Sequence, residues 1–199
     1  MLIKEAEKIV GGLSKPGKMP GPAINLPASA CKTGSILTKI KGTPCFGCYA
    51  LKGRYRFKNT LTAMARRLAA LTNPLWVTAM TTLTKRARWF RWHDSGDVQS
   101  HTHMNDILTV AKNSPKTGHW MPTQERQFLP ELAAVPDNMT IRLSSSKINA
   151  GPSTAWPWTS SVTTDPEQVT CPASKQGNKC QDCRNCWDRS IAHIVYPKH

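Results

Sequence analysis

The sequence predicts an α/β fold: a partial parallel (βα) barrel-like core with an N-terminal cysteine loop and a C-terminal four-cysteine segment. Three observations predict it. From residue 89 onward, short apolar or aromatic runs alternate with helical periodicities. Each run ends in polar residues, as in parallel βα units whose sites lie at the carboxyl ends of strands. The length, 199 residues, suits one domain spanning 1–199 with a sizeable core.

Taken in order, residues 1–10 fit a short amphipathic helix ended by Gly11-Gly12. Residues 14–48 are rich in Pro, Gly, Ser and Thr, and Lys18-Met19-Pro20-Gly21-Pro22 reads as extended or turning. Leu61, Met64, Leu68 and Leu71 recur at helical spacing, giving a helix over roughly 60–72. A second helix opens with Asn73 as cap and Pro74 at its first position and runs to about Arg88. These two helices, with no strand between them, fit the βα alternation least well.

Trp89-Phe90-Arg91-Trp92-His93 then reads as a strand, followed by the turn Asp94-Ser95-Gly96-Asp97. A helix fits 101–113, with Met104, Ile107, Leu108 and Ala111 on one face. A strand at His119-Trp120-Met121 leads through Thr123-Gln124-Glu125 into a helix to about Ala134, interrupted by Pro130. Met139–Leu143 is a third strand, ending in Ser144-Ser145-Ser146, and Ser160–Thr163 is a fourth candidate. The chain divides into a cysteine loop and basic stretch (14–58), a βα core (60–165) and a four-cysteine segment (166–190).

Lys and Arg number 27 against 12 Asp and Glu, a formal charge of +15, which favours anionic partners. No apolar run is long enough to span a membrane, and the first residues lack the apolar core of a signal peptide, so a soluble intracellular protein is expected. Seven cysteines, an odd count without a secretion signal, argue against a disulfide framework. They fall in two groups: Cys31, Cys45 and Cys48, then Cys171, Cys180, Cys183 and Cys186.

The late group ends in a C-x2-C-x2-C run, the spacing with which ferredoxin thiolates hold a 4Fe-4S cluster, and Cys171 offers the fourth ligand. Four thiolates also make a closed zinc site, the alternative metal. The early group has three thiolates only, so a cluster there keeps one iron open to a small molecule. Zinc completed by His93 or His119 is the competing reading. Asp94 and Asp97 beside His93, and Glu125 after the next strand, are candidate proton carriers, although turn chemistry and helix-dipole complementarity explain the same residues. Tyr49, Lys52, Arg54, Tyr55, Arg56 and Lys58 form a basic, aromatic stretch, and Lys85, Arg86, Arg88 and Arg91 form a second basic group. Either is a solvated face or a collector of anions, nucleic acid included. The tryptophans supply core mass and shielding for the cysteine groups.

The run from Lys18-Met19-Pro20-Gly21-Pro22 through Cys45-Phe46-Gly47-Cys48-Tyr49-Ala50-Leu51-Lys52-Gly53, with Phe90–Asp97, resembles the phage-encoded gene product 88-like family over about residues 14–190. That resemblance implies phage origin and the cytoplasm of an infected bacterial host. More distantly, three cysteines ending in Cys-Tyr-Ala, then βα units and a four-cysteine tail, resemble radical S-adenosylmethionine enzymes with an auxiliary cluster. This second resemblance implies that Cys31, Cys45 and Cys48 hold the open cluster and that Ser95, Gly96 and Asp97 meet the amino group of S-adenosylmethionine. Arg142 and Ser144 would meet its ribose and carboxylate, with Tyr49 beside the cluster. The spacing departs from that superfamily: thirteen residues separate the first two cysteines, and Asp97 stands where a glutamate is usual.

The leading expectation is an iron–sulfur enzyme with two 4Fe-4S clusters, acting on a small or anionic substrate and fed by an electron donor. A non-radical Lewis-acid hydrolase or lyase is the second reading, with Asp94, Asp97 or Glu125 moving protons. A zinc-stabilised basic nucleic-acid-binding protein without catalysis is the third. A pure electron carrier fits least, since carriers close all four corners of the cluster.

Overall fold

The computed structural model describes residues 1–198. At its centre lie six strands, all parallel and adjacent in chain order: β1 (Ala23–Ile24), β2 (Trp89–Trp92), β3 (Gly118–Thr123), β4 (Met139–Ser144), β5 (Thr159–Thr163) and β6 (His193–Pro197). The helices are α1 (Ile3–Val10), α2 (Lys32–Leu37), α3 (Lys58–Ala70), α4 (Trp76–Thr84) and α5 (His101–Lys112). Among the described residues no helix is long and apolar enough to cross a membrane.

An order without reversal has a physical consequence. Right-handed crossovers that all advance the same way leave their helices on one face of the sheet. The main core follows that rule. Ala6 and Val10 of α1, Trp76 and Met80 of α4, and Met104 and Ile107 of α5 bury against Ile24, Phe90, Trp92, Met121, Met139 and Ile141. Strand alternation sends the other side chains the opposite way. Arg91 and Trp120 are register partners, and the Arg91 guanidinium lies over the Trp120 ring at 4.6 Å from its centre. On this second face Trp120, Trp187 and Met19 form a smaller core that Trp89, Cys180, Cys186 and Tyr196 pack against.

Most expected elements appear. The first helix ends at Gly11, whose left-handed φ of 80° suits glycine. Asn73 Oδ1 accepts from the Leu75 amide at 2.9 Å and opens α4, which stops at Thr84 instead of Arg88. Thr117 Oγ1 donates to the Thr84 and Ala87 carbonyls at 2.9 and 2.8 Å, turning the chain toward β2. The expected helix to Ala134 is not formed. Two short 3-10 turns, Arg126–Phe128 and Leu132–Ala134, stand there, and Leu129 between them is extended at φ −60°, ψ 135°. Pro130 lacks an amide hydrogen and disfavours helical geometry in the residue before it.

Three elements were not expected: β1, α2 and β6. β1 is two residues inside the Pro-rich stretch, held by β2 on one side and by a reciprocal bridge to Ser14 on the other. Its presence also accounts for the helices at 58–84. With the cysteine loop they form the crossover from β1 to β2.

Candidate functional site

The loop carrying Cys31, Cys45 and Cys48 leaves the carboxyl end of β1, and the turns after β2 and β3 rise beside it. The two bind together through a small set of contacts. Leu26, two residues past β1, donates its amide to the Ser95 carbonyl at 2.9 Å, and Ser95 Oγ donates back to the Leu26 carbonyl at 2.7 Å. Gly96 has φ 73°, and a Cβ there would stand 2.6 Å from Leu26 Cβ and 2.7 Å from its carbonyl oxygen. Only glycine supports this approach. Next to Cys48, Tyr49 donates its hydroxyl to the Asp94 carbonyl at 2.6 Å.

Glu125 fastens the loop to β3. It is fully buried, and its two oxygens accept from the Thr33 amide at 2.9 and 3.0 Å. Oε2 also accepts from Thr33 Oγ1 at 2.7 Å and from Gln127 Nε2 at 2.9 Å. Thr33 lies in the first turn of α2, directly after Cys31, so the carboxylate satisfies an amide that the helix leaves unpaired. Asp97 does the corresponding work between β2 and β3. Oδ1 accepts from the Val98 amide at 2.8 Å and Thr123 Oγ1 at 2.7 Å, and Oδ2 accepts from the Gln124 amide at 2.8 Å. Burial pushes its carboxyl up to about 7, with these donors pulling the other way. Asp94 accepts from Ser14 Oγ at 2.8 Å and, at 3.4 Å each, from Asn25 Nδ2 and the Tyr55 hydroxyl.

The three early thiols share one electrostatic neighbourhood. Burial raises the Cys31 thiol, and Asp97, Glu125, Cys45 and Cys48 raise it further. Cys45 is pushed up to about 11 by burial, then by Cys48, Asp97 and Glu125. Gly34 lies at their meeting point: a Cβ there would be 3.5 Å from Cys31 Sγ and 3.9 Å from Cys45 Sγ. A metal group taking these sulfurs as thiolates must displace their protons. All seven cysteines are free, and among the described residues no three His, Cys, Asp or Glu side chains converge on a point where one metal ion would be held.

Two of the late cysteines, Cys180 and Cys186, pack on the face of the sheet away from the main helical core. Arg142, fully buried, donates to the carbonyls of Asn185, Cys186, Asp188 and Ile191 at 2.7 to 3.0 Å. Thr140 Oγ1 donates to the Trp187 carbonyl at 2.7 Å, and Trp187 Nε1 donates to the Phe90 carbonyl at 3.0 Å. Cys180 is tied by its amide to the Lys18 carbonyl at 2.7 Å. Burial pushes Cys186 up to about 11, against a 3.1 Å contact between its sulfur and the Tyr196 hydroxyl. Cys171 acts electrostatically on both Cys180 and Cys186, so the distant member of the group is brought to the others.

Several residues make internal contacts that the sequence did not announce. Arg142 organises the four-cysteine segment. Ser144 meets Ser160 Oγ at 3.2 Å. Arg91, grouped from sequence with surface cations, has its Nε out of solvent and faces Tyr49, Asp94 and Cys186. His119 is a core histidine: Nδ1 accepts from Trp92 Nε1 at 3.2 Å and Nε2 meets Ser114 Oγ at 2.9 Å. His93 packs its ring 5.4 Å from that of His103 and has φ 57°, and both its ring nitrogens are buried without a partner. Gln124 Oε1 is a further buried acceptor without a partner at this end of the sheet, while its Nε2 donates to the Ser145 carbonyl at 3.1 Å.

Sequence reasoning missed Thr33, Gln124 and Tyr196. The first two could have been found as the polar neighbours of Cys31 and Glu125; Tyr196 carried no signal without β6. Two shallow surface depressions, of about 430 and 540 Å³, are lined by no cysteine.

No curated protein and no solved structure matches the chain. The family model for Gene product 88 matches residues 1–189, a span holding all seven cysteines and every strand but β6, and the chain belongs to that phage gene-product family.

Proposed function

We propose that this chain is an iron–sulfur enzyme of the radical S-adenosylmethionine type, with an open 4Fe-4S cluster at Cys31, Cys45 and Cys48 and a closed one at Cys171, Cys180, Cys183 and Cys186. The observation that carries the reading is positional. A three-cysteine loop follows the first of six parallel strands in unbroken chain order, and it is fastened to the turns after the second and third. The unreversed order, with helices on one face only, supports a partial barrel over a doubly wound sheet.

The donor chemistry fits. Three mutually interacting thiols suit a group with one open corner, and four suit a closed one. The buried, unpartnered Gln124 Oε1, directly after β3, leaves an acceptor for an amino group at the carboxyl end of the sheet. With such a cluster bound, its open iron would take the amino and carboxylate groups of S-adenosylmethionine and, once reduced, supply the electron that breaks a carbon–sulfur bond. The protein's own residues do the positioning. Glu125 holds the first turn of α2, Asp97 joins the turns after β2 and β3, Ser95 and Gly96 seat the root of the loop, and Tyr49 pins its end. This same engagement weakens the Lewis-acid hydrolase reading, since Asp94, Asp97 and Glu125 each accept from internal donors instead of standing free to move protons.

The test begins with iron, sulfide and zinc content of anaerobically purified protein. About eight irons and eight sulfides per chain are expected, falling by about half when Cys31, Cys45 and Cys48 are replaced by alanine. Reduced protein with S-adenosylmethionine should release 5′-deoxyadenosine. About two zinc ions and no absorbance near 400 nm would overturn the whole reading. Two clusters without 5′-deoxyadenosine would overturn its radical part.

A further inference from the structure

The cysteine loop is also where the molecule exposes its large apolar side chains. Ile36, Ile40, Phe46, Leu51, Phe57 and Leu61 all face solvent, Ile36 and Phe57 each at 63%. Ile36 lies in α2, Ile40 and Phe46 in the stretch from α2 to Cys48, Leu51 in the short turns after Cys48, and Phe57 and Leu61 at the start of α3. Among them stand Lys39, Lys41, Lys52, Arg54, Arg56 and Lys58, every one exposed.

Nothing offsets this charge. No Asp or Glu occurs between Glu7 and Asp94. The carboxylates nearest the loop, Asp94, Asp97 and Glu125, are buried and accept from internal donors. The one ion pair among the described residues joins Arg189 to Asp137, on another part of the chain. A merely solvated face mixes signs and keeps large apolar groups few; this one has a single sign, interleaved with rings and branched chains.

Cations alternating with exposed rings match the chemistry of a single strand of nucleic acid, whose phosphates meet Lys and Arg while its bases stack on aromatic faces. A duplex reader needs an element projecting into a groove. Here the face is built of short turns and the six-residue α2. An acidic protein would satisfy the cations but not use the alternation of rings among them.

We propose that residues 32–61 form a binding face for single-stranded nucleic acid, lying across the loop that carries Cys31, Cys45 and Cys48. The binding itself does not depend on the iron–sulfur reading. That a nucleotide of the bound strand is the substrate class does rest on it.

The test is fluorescence anisotropy with a labelled mixed-sequence single-stranded oligonucleotide, over a salt series, on protein of measured iron content. Contact with about four phosphates gives a slope of about −3 in log affinity against log salt. Arg54→Glu with Arg56→Glu is expected to weaken binding tenfold or more, and Phe57→Ala about tenfold through lost stacking. Lys112→Glu with Lys116→Glu, near the amino end of β3, matches the charge change and should have little effect. Circular dichroism checks that each variant folds. A flat salt response, or equal loss from the two charge pairs, overturns the proposal. So does binding to vesicles of anionic lipid in place of the oligonucleotide. Absent clusters with intact strand binding would overturn the proposed chemistry and leave this face standing.

Discussion

Glu125 illustrates how much one side chain decides. Its carboxylate accepts four hydrogen bonds from three donor groups, and two of those groups, the Thr33 amide and hydroxyl, belong to the first turn after Cys31. Glu125→Gln turns an amide group toward amides and leaves a buried donor unpaired. We expect a loss of about 1–3 kcal/mol in unfolding free energy and faster alkylation of Cys31 and Cys45 in the metal-free protein. Denaturant titration and thiol-labelling kinetics read the two effects. His119 gives a second, independent outcome. Burial holds its pKa down to about 4 from 6.5, and Trp92 Nε1 donates to its Nδ1, so a proton there would face another proton. Below pH 6.5 the unfolded chain takes up a proton that the folded chain refuses. Stability is therefore full above that value and falls toward pH 4, by on the order of 1–2 kcal/mol at pH 5 from this group. Replacing His119 with Asn should flatten that part of the profile, measured by denaturation at pH 7 and pH 5.

At the scale of elements, Arg142 and the segment it holds behave as one unit. Four carbonyls between Asn185 and Ile191 converge on one guanidinium. Arg142→Met keeps the volume and removes every donor. The expected result is a loss of about 3 kcal/mol or more and new protease cleavage within residues 171–191, read by mass spectrometry. This contact also marks the limit of sequence reading. The helices around Met64, Met104 and Ile107 and the strands at Trp89 and Met139 were legible because apolar spacing is a local property. The register that brings Arg142 under Cys186 is not local. β1 was illegible for a different reason: two residues carry no periodicity, and only β2 and Ser14 make them a strand. At the site the residue types were legible at Ser95, Gly96, Asp97 and Glu125. Their use as fasteners depends on Leu26 and Thr33, whose side chains advertise nothing.

For the whole molecule, charge is the dominant global term. A formal +15 on 199 residues, with one ion pair among the described residues, means that folding gathers like charges with little compensation. Salt shortens the reach of that repulsion. Raising sodium chloride from about 0.05 M to about 0.5 M is expected to raise the midpoint of thermal unfolding by about 3 °C or more, measured by differential scanning fluorimetry. A fall over that range would mean that specific pairs, not self-repulsion, govern the balance.

The unbroken order of the strands has a consequence for the chain during its synthesis. Every strand finds its partner in the strand just made, so the sheet can grow at one edge as the chain emerges, without waiting for a distant segment. The last stretch is the exception: Trp187 reaches back to Phe90, 97 residues earlier. Until that stretch is released, Trp89, Trp120 and Arg91 lack the cover that Trp187, Cys186 and Tyr196 provide. The nascent protein therefore passes through a stage with its helical side closed and its tryptophan side bare, and the four-cysteine segment is the piece that ends it.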